Sequence, residues 1–306
     1  MSQRVLVTGV KGFTGCYMAQ KLLLLGYEVW GLSSDQDSAP STYQIVTGDL
    51  MEPASLEAAV KTCQPNYVVH LAGIAFVGHS SPAAFYNVNL IGTHHLLQAL
   101  ASHAKDLQCV LLASSANVYG NGTEGLLTET APPHPANDYA VSKLAMEHMA
   151  QLWLGKLPVV IARPFNYTGV GQTENFLIPK IVSHFHAKKT LIELGNLDVW
   201  REFNDVRDVT HAYAKLLETA PVGKVINVCS GQLVSLREVL ALATAITHHK
   251  INIRINPAFV RPNEVISLGG DPSLLKSHIP DWQPRSLRET LQWMLTEETD
   301  TSPSVQ

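Results

Sequence analysis

The chain has 306 residues, 46% of them hydrophobic and 16% charged, with a formal net charge of −4. That length allows one large core or two smaller ones, and the balance excludes a disordered, collagenous or repeat-dominated chain. With no basic run, nothing points to nucleic acid or an anionic membrane, so an anionic substrate has to be met locally by a few arginines and lysines.

Arg4–Thr8 reads as a buried strand, and it begins too early to leave room for a signal peptide. Further strand-like runs follow at Glu28–Gly31, Gln44–Thr47, Tyr67–Ala72, Gln108–Ser114 and Pro158–Arg163. Amphipathic segments alternate with them: Tyr17–Leu25, Ser55–Cys63, Val88–Ser102 and Tyr139–Leu154. Apolar strands alternating with helices predict a doubly wound parallel sheet covered on both faces. After Gly169 the character changes, with helices expected at Phe176–His186 and Ser235–Ala245 and a Pro-punctuated tail. Four scattered cysteines without metal spacing (Cys16, Cys63, Cys109, Cys229) fit a reducing compartment, and the expected location is cytoplasmic.

Directly after the first strand comes Thr8-Gly9-Val10-Lys11-Gly12-Phe13-Thr14-Gly15, then a helix. Glycines permit a tight turn and close backbone approach, and a helix N-terminus offers unpaired N–H groups to a pyrophosphate. Gly9, Gly12, Phe13 and Gly15 are therefore candidate cofactor residues in an NAD(P)-binding Rossmann domain spanning 1–168. A smaller α/β substrate domain is expected over 169–306, with an interleaved boundary. The second strand leads to Ser33-Ser34, with Asp35 and Asp37 just beyond, instead of ending in an acid. Small hydroxyl residues such as Ser33 suit a 2′-phosphate, which Lys11 can neutralise, so NADP(H) is favoured, with NAD(H) the alternative. Asp49 and Leu50 follow the third strand, where the adenine is expected. Leu71, Ala72 and Gly73 end the fourth strand beneath the cofactor, and Asn89 lies on a helix facing them.

Tyr139 and Lys143 stand four apart at the start of a helix, on one face. Proximity to Lys143 and to a cationic nicotinamide is expected to lower the Tyr139 pKa, so that it exchanges a proton with a sugar oxygen as hydride moves. Ser115, in Ser114-Ser115-Ala116-Asn117-Val118-Tyr119-Gly120, lies at another strand's carboxyl end, where a hydroxyl can bond the same oxygen.

Together these motifs resemble the extended short-chain dehydrogenase/reductases that act on nucleotide sugars, over essentially the whole chain. Downstream, Arg163-Pro164-Phe165-Asn166, Gly169-Val170-Gly171-Gln172, Asn175-Phe176, Arg201-Glu202-Phe203-Asn204-Asp205 and Asn227-Val228-Cys229-Ser230-Gly231 look most like the GDP-mannose branch, its 4,6-dehydratases and 4-ketoreductases. The resemblance implies Ser115, Tyr139 and Lys143 as catalytic residues and Asn166 and Asn175 as residues lining a GDP-sugar site. Lys180, Arg201 and Arg261 have the chemistry to meet the diphosphate, and Glu264 to accept from ribose hydroxyls. Arg207 and Asp208 are expected in structural contacts. Two family features are missing. The dehydratases place a glutamate two residues after the catalytic hydroxyl, where this chain has Asn117, an amide that cannot act as a base. Epimerising members use a cysteine near that serine, where this chain has Ala116 and Asn117. The expectation is an NAD(P)H-dependent 4-ketoreductase of a GDP-4-keto-6-deoxy sugar. A GDP-mannose 4,6-dehydratase, a 4-epimerase or a non-catalytic cofactor-sensing protein are the alternatives. No metal is expected, and family habit implies a homodimer through a four-helix bundle of Val88–Ser102 and Tyr139–Leu154.

Overall fold

In the computed structural model, residues 3–35, 42–76, 81–121, 125–260 and 265–297 are described. Strands β1 (Arg4–Thr8), β2 (Glu28–Ser33), β3 (Gln44–Thr47), β4 (Tyr67–His70) and β5 (Cys109–Ala113) lie in one parallel sheet. After the short β6 (Leu126–Leu127), β7 (Val159–Pro164) extends it, and Val225–Val228 completes it in the order Val225–Val228, β7, β5, β4, β1, β2, β3. Every residue of β4 and β7 is buried, as expected for strands covered on both faces.

Side-chain alternation divides the core. Val5, Val7, Val69, Leu111 and Val160 pack on one face with α1 (Phe13–Leu24) and with Tyr213 and Leu217. Leu6, Val68, Val110, Leu112 and Ile161 pack on the other with α2 (Pro53–Cys63) and, following the short α3 (Pro82–Phe85), with α4 (Thr93–His103) and α5 (Asp138–Gln151). A second cluster gathers around α6 (Leu177–His186), where Ile181 and Phe185 meet Leu194, Val239 and Leu291. Residues cross position 168 in both directions. Helix α7 (Val206–Thr219) packs on α1, and Val225–Val228 pairs with β7. Conversely, β6 pairs with Ser267–Gly270 in a small sheet, where Leu127 and Leu268 pack with Tyr119 and Phe165.

Several bounds shift: α1 starts at Phe13, four residues before the expected Tyr17, α5 ends at Gln151, three before Leu154, and β2 runs two residues past Gly31. Two further differences are local. The fourth strand stops at His70, two residues early, where the Thr8 Oγ1 accepts from Leu71 N and Ala72 N, both at 3.1 Å, and Leu71 N is shared with the Thr8 carbonyl at 3.3 Å. The helix expected from Val88 is preceded by α3 and by a wide π turn, Tyr86–Gly92. A π turn adds a residue per turn and often marks a functional segment.

His70 is sealed in this core between Thr8 Oγ1 (2.7 Å) and Thr93 Oγ1 (2.9 Å), and burial, with Lys143 nearby, pushes its pKa down to about 3. Between pH 6.5 and 3 the unfolded chain therefore binds a proton there that the folded chain does not, so stability falls as pH falls. The His70 contribution should reach about 1.4 kcal/mol per pH unit within that window. Urea unfolding at pH 7, 6 and 5 should show a shallower decline for His70→Gln than for wild type; parallel declines would show that His70 is not responsible.

Candidate active site

The order of the sheet reverses at β1, whose neighbours are β2 and β4, and in such sheets ligands bind outside the carboxyl ends at the reversal. Gly9 follows β1 with φ +67°, a left-handed conformation suited to glycine. A Cβ at Gly9 would lie 2.8 Å from Ala72 N, and one at Gly15 would collide with the Gly9 carbonyl oxygen. The loop is thus pressed against the end of β4 and turns back on itself, with Gly12 N donating to Gly9 O at 3.0 Å. Gly12 caps α1 with no side-chain hydrogen bond to the first-turn amides. A close backbone approach and an N-terminus uncapped by a side chain fit a pyrophosphate.

Around this loop the other expected cofactor residues fall at strand ends. Phe13 opens α1, and its ring stacks on Tyr167 (centroids 6.2 Å apart), which leaves its backbone to the loop. Ser33 ends β2, and its hydroxyl accepts from Asp35 N at 3.2 Å; Asp37 lies outside the described residues. Asp49 is exposed and makes an Asx turn to Met51 N (2.8 Å), while Leu50 is buried, with its carbonyl against a His95 ring nitrogen. Leu71 and Ala72 are tied to Thr8, and a Cβ on Gly73 would lie 2.8 Å from Asn89 Oδ1 and 3.5 Å from Lys143 Nζ. Asn89, in the π turn, accepts from Ile74 N (2.9 Å) and donates to Ile74 O (3.2 Å) and Ser142 Oγ (3.1 Å). It therefore fastens the segment after β4 to α5.

Asn137 caps α5 by accepting from Ala140 N, which starts the helix just where Tyr139 and Lys143 share a face. Tyr139 is buried against Phe85, with ring centroids 6.0 Å apart, and the nearby Ser115 side chain favours its ionised form. Lys143 Nζ donates to the carbonyl of Ala113, the last residue of β5, at 2.8 Å. The expected lowering of the Tyr139 pKa is not found in the protein by itself. Burial pushes it up to about 12, with the Ser115 side chain pulling the other way, while the lysine points to a carbonyl. Lys143 moves down to about 8, because burial disfavours its charge more than Glu147 restores it.

Ser115 Oγ accepts from Asn117 N (3.1 Å) and Asn117 Nδ2 (3.0 Å). Its neighbour Ser114 is committed elsewhere, donating to Glu147 Oε1 at 2.5 Å. Glu147 in turn takes two bonds from Arg163, from Nε at 2.9 Å and Nη2 at 2.6 Å, and Arg163 lies over the Tyr119 ring at 4.8 Å. Sequence reasoning missed this buried group. The available signals were Arg163 inside an apolar strand and Glu147 one turn beyond Lys143.

The expected substrate residues are more scattered. Asn166 follows β7 half-buried, its carbonyl accepting from Asn204 N, and Asn175 is exposed just before α6. Lys180 Nζ donates to Glu193 O (2.9 Å) and sits 4.4 Å over the Phe259 ring. Arg201 donates to the carbonyls of Trp200, Val265 and Ile266. Lys180 and Arg201 thus hold the two flanks of the segment containing Arg261 and Glu264, which lie outside the described residues. Arg207 pairs with Asp205, and Asp208 with Arg285, both structural contacts. Among the described residues no group of histidine, cysteine or acid side chains could hold a metal, and no helix is long and apolar enough to cross a membrane.

A family model described as GDP-mannose 4,6 dehydratase matches residues 6–294. GDP-6-deoxy-D-talose 4-dehydrogenase of Aggregatibacter actinomycetemcomitans is 35% identical over 95% of this chain and 96% of its own length. GDP-6-deoxy-D-mannose reductase of Pseudomonas aeruginosa is 36% identical over 97% of each. Among solved structures, a Burkholderia cenocepacia protein provisionally described as an epimerase superimposes with TM-score 0.91 at 48% identity, covering 96% of this chain and 97% of the other. The structure of RMD from Pseudomonas aeruginosa complexed with NADPH gives TM-score 0.83 at 34% identity, with the same coverage.

Proposed function

This chain belongs to the GDP-mannose 4,6-dehydratase family of extended short-chain dehydrogenase/reductases, enzymes of oxidoreductase type, and from that premise we propose that it is a 4-ketoreductase of a GDP-4-keto-6-deoxy sugar. The observation that carries the reading is the Ser115–Tyr139–Lys143 arrangement at the sheet's carboxyl edge, with Asn117 where a dehydratase needs a base. The relatives named as a GDP-6-deoxy-sugar reductase and 4-dehydrogenase support it, since both names describe redox chemistry on a GDP-6-deoxy sugar, of the talose kind in one and the mannose kind in the other.

When bound, the reduced nicotinamide supplies the hydride for carbon 4. The protein's part is the proton and the geometry. Tyr139, protonated at neutral pH with its pKa near 12, gives its proton to the keto oxygen as negative charge develops there. Ser115 donates a hydrogen bond to the same oxygen. Lys143, whose pKa is pushed down to about 8, can stabilise the resulting tyrosinate only by turning from the Ala113 carbonyl that it bonds here. Dehydration would need a base for the carbon 5 proton, and an amide at 117 is not one.

NADPH is the preferred cofactor in this reading, because β2 runs into Ser33 rather than an acid and because the RMD structure holds NADPH. In this reading Arg201 and Lys180 meet the diphosphate, and Asn166, Asn175, Arg261 and Glu264 serve as further substrate residues. The functional unit is a homodimer through α4 and α5, near which Ile91 of the π turn, Val141 of α5 and Leu152 just past it are exposed, in a cytoplasmic protein. Sedimentation should give twice the monomer mass, and a stable monomer would refute the dimer.

The reading is tested by NADPH absorbance when the protein meets enzymatically prepared GDP-4-keto-6-deoxy-mannose. One NADPH should be lost per sugar, with NADH used less efficiently. GDP-mannose converted to a keto sugar with no net loss of cofactor would instead make the chain a lyase, and interconversion of two 4-hydroxyl isomers would make it an epimerase.

A further inference from the structure

We infer that Asn117 is a positioning residue that turns Ser115 into an obligate hydrogen-bond donor, an inference that rests on the ketoreductase reading. A serine hydroxyl has one proton to give and two lone pairs to fill. In this site one residue fills both, with Asn117 N at 3.1 Å and Asn117 Nδ2 at 3.0 Å from Ser115 Oγ. The hydroxyl then has only its proton left to share. That proton is what Ser115 can offer to the keto oxygen in the ketoreductase reading.

The same geometry gives a reason for an amide at this position. A carboxylate has no proton to give, so an aspartate at 117, of the same length as the asparagine, would accept from Ser115 where the amide donates to it. The short helix Ala116–Tyr119, capped by Ser115, holds Asn117 in place, and its next residues, Val118 and Tyr119, are fully packed. Its neighbour Ser114 shows the contrast, with its proton already committed to Glu147.

The test compares Asn117→Ala, Asn117→Asp, Ser115→Ala and the double variants, in the full chain with NADPH. Asn117→Asp, nearly isosteric but reversed in polarity, should lower kcat on the order of 100-fold with KM little changed. Its deficit should narrow as pH falls and the new carboxyl regains a proton, a trend absent from Asn117→Ala. Asn117→Ala keeps the backbone bond and should lose about fivefold, the worth of one neutral hydrogen bond. In the Ser115→Ala background neither change should cost anything further. A second readout needs no substrate. The Asn117 side-chain amide protons, assigned in nitrogen-15 spectra by their loss in Asn117→Ala, should shift in Ser115→Ala. Additive losses, or amide signals that Ser115→Ala leaves unmoved, overturn the positioning role. A wild type silent on the GDP-keto sugar, with the amide shift intact, refutes the substrate reading alone and leaves the positioning role standing.

Discussion

Tyr139→Phe is expected to lower kcat for reduction by about 10²- to 10⁴-fold, the range for losing a positioned acid, while leaving cofactor affinity and thermal stability nearly unchanged. The separation follows from the surroundings of the ring. Tyr139 packs edge-on against Phe85, a contact that phenylalanine keeps, so the change removes only the hydroxyl. The cofactor loop is built by Gly9, Gly12 and Gly15 on a different element, so NADPH titration should give a dissociation constant within about threefold of wild type, less than one lost hydrogen bond. Fluorescence titration, a thermal scan and single-turnover kinetics read the three quantities separately. Turnover within tenfold of wild type would mean that another group protonates the sugar oxygen, and the mechanism proposed would fall. Loss of NADPH binding together with turnover would assign Tyr139 to holding the cofactor rather than to the proton.

What could be read before the structure divides along physical lines. The parallel sheet was legible because its strands are short apolar runs buried on both faces, a pattern that side-chain period and flanking glycines announce. Arg4–Thr8 and Gln44–Thr47 were expected with the bounds observed. Local spacing also carries Tyr139 and Lys143 onto one helical face. Contacts between distant segments were not legible. Nothing in the run around Val88 announces a π turn, because it is tied to Asn89 bonding Ile74 across the chain. The early end of β4 coincides with a threonine 62 residues away reaching into its ladder. The Tyr139 pKa was expected to move down on the strength of a lysine one turn away, but Lys143 spends its charge on the Ala113 carbonyl and burial decides the sign. Side-chain direction, unlike spacing, is set by the whole fold.

Glu147→Ala is expected to cost about 3–5 kcal/mol, the range for breaking a buried ion pair from one side. Both partners are almost fully buried, at 2% and 5% exposure, and the glutamate also takes the Ser114 proton. Removing it strands the Arg163 guanidinium, whose Nη1 already has no partner among the described residues, so the penalty is that of an unpaired buried charge. Replacing both residues, Glu147→Leu with Arg163→Met, should recover most of that loss, because a hydrophobic pair of similar volume needs no desolvation of charge. Urea unfolding of the three proteins decides the point. If the double variant is no more stable than Glu147→Ala, the stranded charge is not what the single change costs. The pair also bears on activity. Ser114 adjoins Ser115, and Glu147 shares α5 with Tyr139 and Lys143, so this group fixes the end of β5 against the helix carrying the proposed proton donor. The double variant should therefore fold well yet turn over more slowly than wild type, since without the Ser114–Glu147 bond the strand end and the helix lose a fixed spacing. A displacement of about 1 Å at a reacting group can cost on the order of 100-fold in rate. Wild-type turnover in a stable double variant would confine the Ser114–Glu147–Arg163 group to stability.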